Sequence, residues 1–284
     1  MFGSLVVVLP PKHEGGALPL RHHGREWVFN SADIVSPQNS DSGPRAAFVA
    51  FFGDIEHEVA MVKSGYRVTL TYNLYFGDNE CTTIVPSMLP VDGTELKIKR
   101  SLITLLNDQT FLPDGGLLGF SLSHLYAISQ DTNLDELGKS LKGTDAAIKR
   151  ACDSLSLKVS INAVYASNDS DMEGIACLLH DIPDLGEDQI TEDDITLYLK
   201  KTSSGLVVFD SDKLSKDMIS SDDFMWGFED ARPIVWLKPL TKMNGIERPY
   251  VSYGNQASFD YAYGEICLVL DVQSFNDRET YYDF

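Results

Sequence analysis

The residues best suited to chemistry crowd into one stretch, Asp54-Ile-Glu-His-Glu-Val-Ala-Met-Val-Lys-Ser-Gly-Tyr-Arg-Val-Thr-Leu-Thr-Tyr-Asn73. His57 sits there between Glu56 and Glu58. In an extended chain successive side chains point to opposite faces, so both carboxylates project away from the imidazole and the triplet is no metal site by itself. Read without context, His57 is an exposed histidine at a strand end. From Tyr66 the same alternation puts Tyr66, Val68, Leu70, Tyr72 and Leu74 on one face and Arg67, Thr69, Thr71 and Asn73 on the other. An open sheet would turn that polar face to water. A closed barrel would turn it inward, where a buried guanidinium needs an anion such as a ligand carboxylate. Periodicity leaves both readings open. Adjacent His22 and His23 diverge in the same way and read as a surface turn. The four cysteines, Cys81, Cys152, Cys177 and Cys267, are at least 25 residues apart without a C-x-x-C pair, which points to reduced, buried thiols rather than zinc ligands or a disulfide framework.

The elements that must position these groups fall into two patterns. Over residues 1–76, short β-branched or aromatic runs (Leu5 to Leu9, Ala17 to Leu20, Glu26 to Phe29, Ala46 to Phe52, Tyr66 to Tyr75) alternate with turn chemistry at Pro10-Pro11, Gly15-Gly16, His23-Gly24, Ser36 to Gly43 and Ser64-Gly65. That spacing predicts a compact all-β barrel or jelly roll with no helical period. After Phe76 an irregular polar stretch leads to Pro90, and the period changes. Leu102, Leu105 and Leu106 share a helical face within Leu96 to Leu106, and Ala146 to Leu155 reads as a second helix capped by Thr144 or Asp145. Leu157 to Ala166, Leu206 to Phe209, Ile234 to Leu237 and Ile266 to Val272 read as strands. The expected fold class is α+β: a partial barrel over 1–76 followed by a mixed α/β region over 77–284, without an internal repeat.

The 284 residues carry a net charge of -19, the wrong sign for a protein that clamps many phosphates or lies on an anionic membrane, which argues against nucleic acid as a partner. The charge is uneven. Residues 1–76 are nearly neutral, whereas residues 181–230 hold fourteen acidic and four basic residues and read as a solvated face. The five-residue apolar run Leu5 to Leu9 lacks a basic start and stops at Pro10-Pro11, so it is neither a signal peptide nor a spanning segment; a cytoplasmic or nuclear location is the expectation.

Gly3-Ser-Leu-Val-Val-Val-Leu-Pro, His13-Glu-Gly-Gly-Ala-Leu, Arg21-His-His-Gly-Arg-Glu, Ala47-Phe48 to Phe52, Glu56-His-Glu-Val and Ser64-Gly-Tyr-Arg-Val-Thr-Leu-Thr-Tyr-Asn together closely resemble fungal iron(II) and 2-oxoglutarate dependent dioxygenases of the prolyl 4-hydroxylase type. The resemblance is dense over residues 2–75. It continues thinly through Leu112-Pro-Asp-Gly-Gly-Leu-Leu-Gly-Phe120, Leu141-Lys-Gly-Thr-Asp145 and Tyr253-Gly-Asn-Gln-Ala-Ser258. It implies a double-stranded β-helix of jelly-roll or cupin type, in which a 2-His-1-carboxylate triad holds Fe(II) and leaves positions for 2-oxoglutarate and oxygen. His57 matches the distal histidine ligand. Arg67 matches the basic residue that pairs with the far carboxylate of 2-oxoglutarate, and Thr69, facing the same way, could add a hydroxyl. Fe(II) and 2-oxoglutarate are thus the cofactors of the complete family fold, and ascorbate can accompany them.

The family's other two ligands form an H-x-D motif, placed in these fungal relatives shortly before the segment that matches Met1-Phe-Gly-Ser-Leu. None of the six histidines here (His13, His22, His23, His57, His124, His180) has Asp or Glu two positions later. The expectation is a chain that begins inside a longer enzyme, with the missing strands leaving an open edge beside Leu5 to Leu9. Two functions follow. One is an oxidoreductase lineage, inactive as this chain and holding none of its cofactors securely, whose substrate would be a protein or a small molecule. The other is a non-catalytic binding module that keeps the barrel and the anion pocket at Arg67.

Overall fold

The computed structural model describes residues 2–22, 24–35, 43–75, 93–167, 172–185, 189–190, 194–219, 228, 230–241, 244–253 and 257–278. The chain divides into two compact units, Met1–Leu89 and Pro90–Phe284. The expected boundary at residues 76 and 77, Cys81 and most of the turn from Ser36 to Gly43 lie outside the described residues.

Among its described residues the first unit holds eight short strands: β1 (Gly3–Val8), β2 (His13–Gly15), β3 (Leu18–His22), β4 (Arg25–Phe29), β5 (Ala47–Phe52), β6 (Glu56–His57), β7 (Val62–Gly65) and β8 (Thr69–Leu74). They pair as β5-β1-β8, β4-β3-β6 and β2-β7, all antiparallel. Gly65 shows why the glycines matter: at φ +74° it pairs with His13, and a Cβ there would lie 2.2 Å from the Lys12 carbonyl oxygen. An open edge is expected beside Leu5 to Leu9: β1 itself is hydrogen-bonded on both sides, and among the described residues β5 and β8, which flank it, are the outer strands of its sheet. The unit also contains a helix, α1 (Ser31–Val35), whose five residues are too few to display a 3.6-residue period. Val35 on α1 closes a small core with Val6, Val8 and Ala47.

The alternation expected from Tyr66 is present, although Tyr66–Val68 form the connection into β8 rather than strand. Apolar side chains gain by leaving water, which would pack the apolar face of this run against other elements. Instead Tyr66, Val68, Leu70 and Tyr72 are 80%, 42%, 46% and 51% exposed, and Phe48 on β5 is 72% exposed. Nothing among the described residues covers this side of the sheet.

The second unit contains α2 (Gly93–Leu106), β9 (Gly116–Ser121), α3 (Leu134–Lys139), α4 (Gly143–Ser154), β10 (Val159–Ala166), β11 (Ile175–Leu179), β12 (Gln189–Ile190), α5 (Ile195–Thr202), β13 (Leu206–Asp210), α6 (Lys216–Ile219), β14 (Arg232–Lys238), β15 (Gly245–Tyr253) and β16 (Ala257–Val272). It is mixed α and β, as expected, but its centre is a closed barrel that periodicity did not reveal. The ring runs β10-β11-β13-β14-β9-β16 and returns to β10, with β15 and β12 extending from β16. Strands β13, β14 and β9 run parallel and the other ring pairings are antiparallel.

Strand alternation divides the ring cleanly. Leu117, Val164, Leu178, Val208, Ile234 and Val269 form one apolar cluster, the barrel interior. Their neighbours Leu118, Ala163, Leu179 and Leu268 join Leu102, Leu106, Ile148 and Ala151 of α2 and α4 in the outer core. Gly119 faces the interior and leaves room for the Trp236 ring, which a Cβ would meet at 2.3 Å.

Residues Thr144 and Asp145 do not cap α4. The N-cap is Lys142, and it makes no side-chain cap bond. Asp145 lies fully buried within the helix, where its carboxylate accepts hydrogen bonds from the backbone N–H of Ser123 at 2.7 Å and of His124 at 3.1 Å and from the Tyr126 hydroxyl at 2.9 Å. A long-range polar hub thus claimed a residue that local sequence assigned to a cap. Cys152, Cys177 and Cys267 are free and buried, and burial pushes the Cys152 and Cys177 thiols up to about 12 and that of Cys267 upward as well. Among the described residues no helix is long and apolar enough to cross a membrane.

Candidate functional site

The inner face of sheet β5-β1-β8 opens onto a cavity of about 170 Å³ in the first unit. Ser4 and Val6 enter it from β1, Phe51 from β5, His57 from β6, and Thr69 and Thr71 from β8; Arg67 enters just before β8. The structure thus brings His57, Arg67 and Thr69 to one cavity. Arg67 stands in the connection, not on a strand as expected, but the ladder continues past it through a bond from the Leu9 N–H to the Val68 carbonyl at 2.9 Å.

Arg67 is the unusual group. Its Nε and Nη2 are buried, and among the described residues neither has a hydrogen-bond partner. Loss of water without a compensating anion holds its pKa below the ordinary guanidinium value. A fork of N–H donors in that condition is a ready receptor for a carboxylate, which can accept two parallel bonds. The Thr69 and Thr71 hydroxyls, two positions apart on the same strand face, add donors of ordinary strength.

Gly16 sets the Arg67 side chain in place. At φ +67° it carries no Cβ, and one built there would lie 2.6 Å from Arg67 Cδ and 3.1 Å from Val62 Cγ2. Gly16→Ala is therefore expected to displace the guanidinium and weaken carboxylate binding about tenfold, the scale of a hydrogen bond to a charged group. Calorimetric titration with 2-oxoglutarate, beside a circular dichroism check of the fold, measures this; an unchanged affinity would separate Arg67 from the binding site.

His57 is exposed and ends its strand, and it also borders the cavity. Its Nδ1 lies 2.9 Å from the Ile55 carbonyl oxygen, so Nδ1–H donates there and Nε2 keeps the ring's free lone pair. The Phe51 ring packs beside it with centroids 4.7 Å apart. Both neighbouring carboxylates are turned away and engaged by Arg21, Glu58 at 2.7 Å and Glu56 at 3.7 Å, while Glu26 completes the cluster at 2.6 Å. The Glu-His-Glu triplet divides as its alternation requires, with the carboxylates tying β3, β4 and the end of β6 together.

Among the described residues the cavity lining contains no second histidine and no carboxylate. Among the described residues His57 joins no cluster of three metal-ligating groups. A 2-His-1-carboxylate site therefore does not fit the residues around this cavity, whereas a carboxylate ligand does. His22, expected on a surface turn, ends β3 with its side chain only 16% exposed and Nε2 3.6 Å from Asp54 Oδ2; His23 lies outside the described residues. Sequence reading missed Ser4, Phe51 and Gly16, since only the pairing of β1 with β5 and β8 and the turn at Gly16 carry them to Arg67. The polar face that it did identify, Arg67-x-Thr69-x-Thr71, was the usable signal.

Comparison with protein-family models, with curated proteins and with solved structures finds no match to the chain.

Proposed function

We propose that the first unit binds a dicarboxylate of the 2-oxoglutarate type through Arg67, as a member of the Fe(II) and 2-oxoglutarate dependent dioxygenase lineage, and that this chain binds the acid without turning it over. The observation that supports the reading is the pair of buried guanidinium N–H groups, at Nε and Nη2 of Arg67, without partners beside a cavity. A buried, unpaired cation is costly, and a site that receives an anion accounts for the cost. Arg67 takes the carboxylate in a planar fork, Thr69 donates a hydroxyl to it, and Phe51 and Val6 exclude water around the rest of the ligand. His57 offers one imidazole nitrogen.

The resemblance of residues 2–75 to the dioxygenases favours 2-oxoglutarate over other acids. The iron chemistry of that family requires two further protein ligands that the cavity lining lacks, so no step is assigned to iron, and the binding-module reading describes this chain best.

Titration of the metal-free chain with 2-oxoglutarate is expected to give saturable binding. Incubation with iron(II), ascorbate and 2-oxoglutarate is expected to release no succinate above the protein-free control. Absence of binding would remove the proposed function. Turnover would show that a second histidine and a carboxylate complete the site after all.

A further inference from the structure

The barrel of the second unit holds a second cavity, of about 250 Å³, at one of its mouths. Alternation along the ring strands shows how it arises. Inward rows that are apolar at mid-barrel become polar toward this end: Val164 is followed by Asn162 and Ser160 on β10 and by Lys158 before it, Leu178 on β11 by His180, and Leu206 on β13 by Ser204. The floor is apolar, formed by Leu117, Leu178, Leu206 and Val269. A small cavity with an apolar floor and a few convergent polar groups at a barrel mouth is the usual setting of a small-molecule site.

The charges at the rim select the ligand. Arg232 is committed to Asp271, with Nη2 at 2.7 Å and Nη1 at 3.2 Å from its two carboxylate oxygens, so these two cancel. Asn162, buried at 4% exposure, spends its Oδ1 on the Ser160 hydroxyl at 2.8 Å, and its Nδ2 lies 3.2 Å from His180 Nδ1. An amide N–H donor at Nδ1 selects the neutral imidazole tautomer whose proton is on Nε2. The rim then presents the Lys158 ammonium, which forms no ion pair among the described residues, and the His180 Nε2–H donor. One uncompensated cation above an apolar floor, in a chain of net charge -19, matches a monoanion with an apolar tail better than a polyanion.

We infer that the barrel mouth is a binding site for a small monocarboxylic acid, its carboxylate at Lys158 and His180 and its apolar tail on Leu117, Leu178, Leu206 and Val269. This site is separate from the Arg67 cavity and does not depend on it.

Hexanoate is the probe, titrated into the full chain and followed by calorimetry and by NMR shifts. Saturable binding is expected, at least about tenfold tighter than that of hexanol or inorganic phosphate. Lys158→Gln is expected to weaken it about tenfold or more, the scale of a hydrogen bond to a charged group. Lys158→Arg should retain binding. Lys158 is exposed, so neither of its variants should disturb the fold, which circular dichroism verifies. Absence of saturable hexanoate binding, equal binding of phosphate or hexanol, or full affinity in Lys158→Gln would each overturn the assignment.

Discussion

Alanine in place of Arg67 is expected to weaken 2-oxoglutarate binding by about 30-fold or more, the largest effect of any single change in the first unit. Truncating one partner of a buried, hydrogen-bonded charge pair costs about 2–5 kcal/mol, because the other charge remains in the cavity without a counter-ion. Arg67→Lys should recover only part of the loss, since an ammonium keeps the charge but not the planar fork. Thr69→Ala should cost about two- to tenfold, as expected for one neutral hydrogen bond. Stability should move the other way. Arg67 Nε and Nη2 are buried without partners among the described residues, so removing them should leave the melting temperature equal or higher. Calorimetric titration and thermal melts of the same variants check both signs. An Arg67→Ala protein that binds like the parent, or that is strongly destabilised, would mean the guanidinium serves the fold rather than a ligand.

The second large effect belongs to Asp145. Its carboxylate is fully buried and accepts from Ser123 N–H, His124 N–H and the Tyr126 hydroxyl, while the Lys142 N–H donates to that same Tyr126 oxygen at 3.0 Å. Lys238 adds a charge: its ammonium donates to the Ser123 hydroxyl at 2.7 Å and feels the Asp145 carboxylate. Burial lowers the Lys238 pKa, and Asp145 acts in the opposite direction. Asp145→Ala removes the acceptor from three donors and the counter-charge from Lys238, which predicts a loss of about 3–5 kcal/mol in the second unit. Asp145→Asn keeps one acceptor oxygen but turns an amide toward the two backbone N–H groups, which can only donate, and the Tyr126 hydroxyl, whose oxygen already accepts from Lys142, so it should recover little. Denaturant midpoints at unchanged slope measure the loss. A loss below about 1 kcal/mol would show that water replaces the carboxylate and that the hub holds the loop weakly.

These two residues were legible in the sequence to very different degrees. Arg67, Thr69 and Thr71 stand at two-residue spacing, and the period of a strand is strict, so their common face followed from the chain alone. Whether that face met water or a cavity did not. Most of the apolar face opposite is left exposed, a result that composition would have reversed. Asp145 shows the converse. Close to the start of a helix an aspartate is most simply a cap, and nothing local indicates that residues 123, 124 and 126 will come to its carboxylate. The strands β9 and β11 were missed for a related reason. Short apolar or mixed runs such as Gly116–Ser121 and Ile175–Leu179 are buried throughout, so they lack the alternation by which a strand is recognised.

The sequence by itself determined the all-strand character of most of residues 1–76, the two long helices near residues 100 and 150, four of the later strands, and the placing of His57, Arg67 and Thr69 within one short stretch. Each of these follows from periodicity, turn residues or spacing, which act over a few residues. The tertiary structure alone decided that β1 lies between β5 and β8, that Gly16 and Phe51 reach Arg67 and His57, and that six strands of the second unit close into a ring with a polar mouth. Those are pairings between segments far apart in the chain, as when β10 meets β16. They are selected by which buried faces fit and which polar groups find partners across the whole fold, and no local pattern encodes that choice.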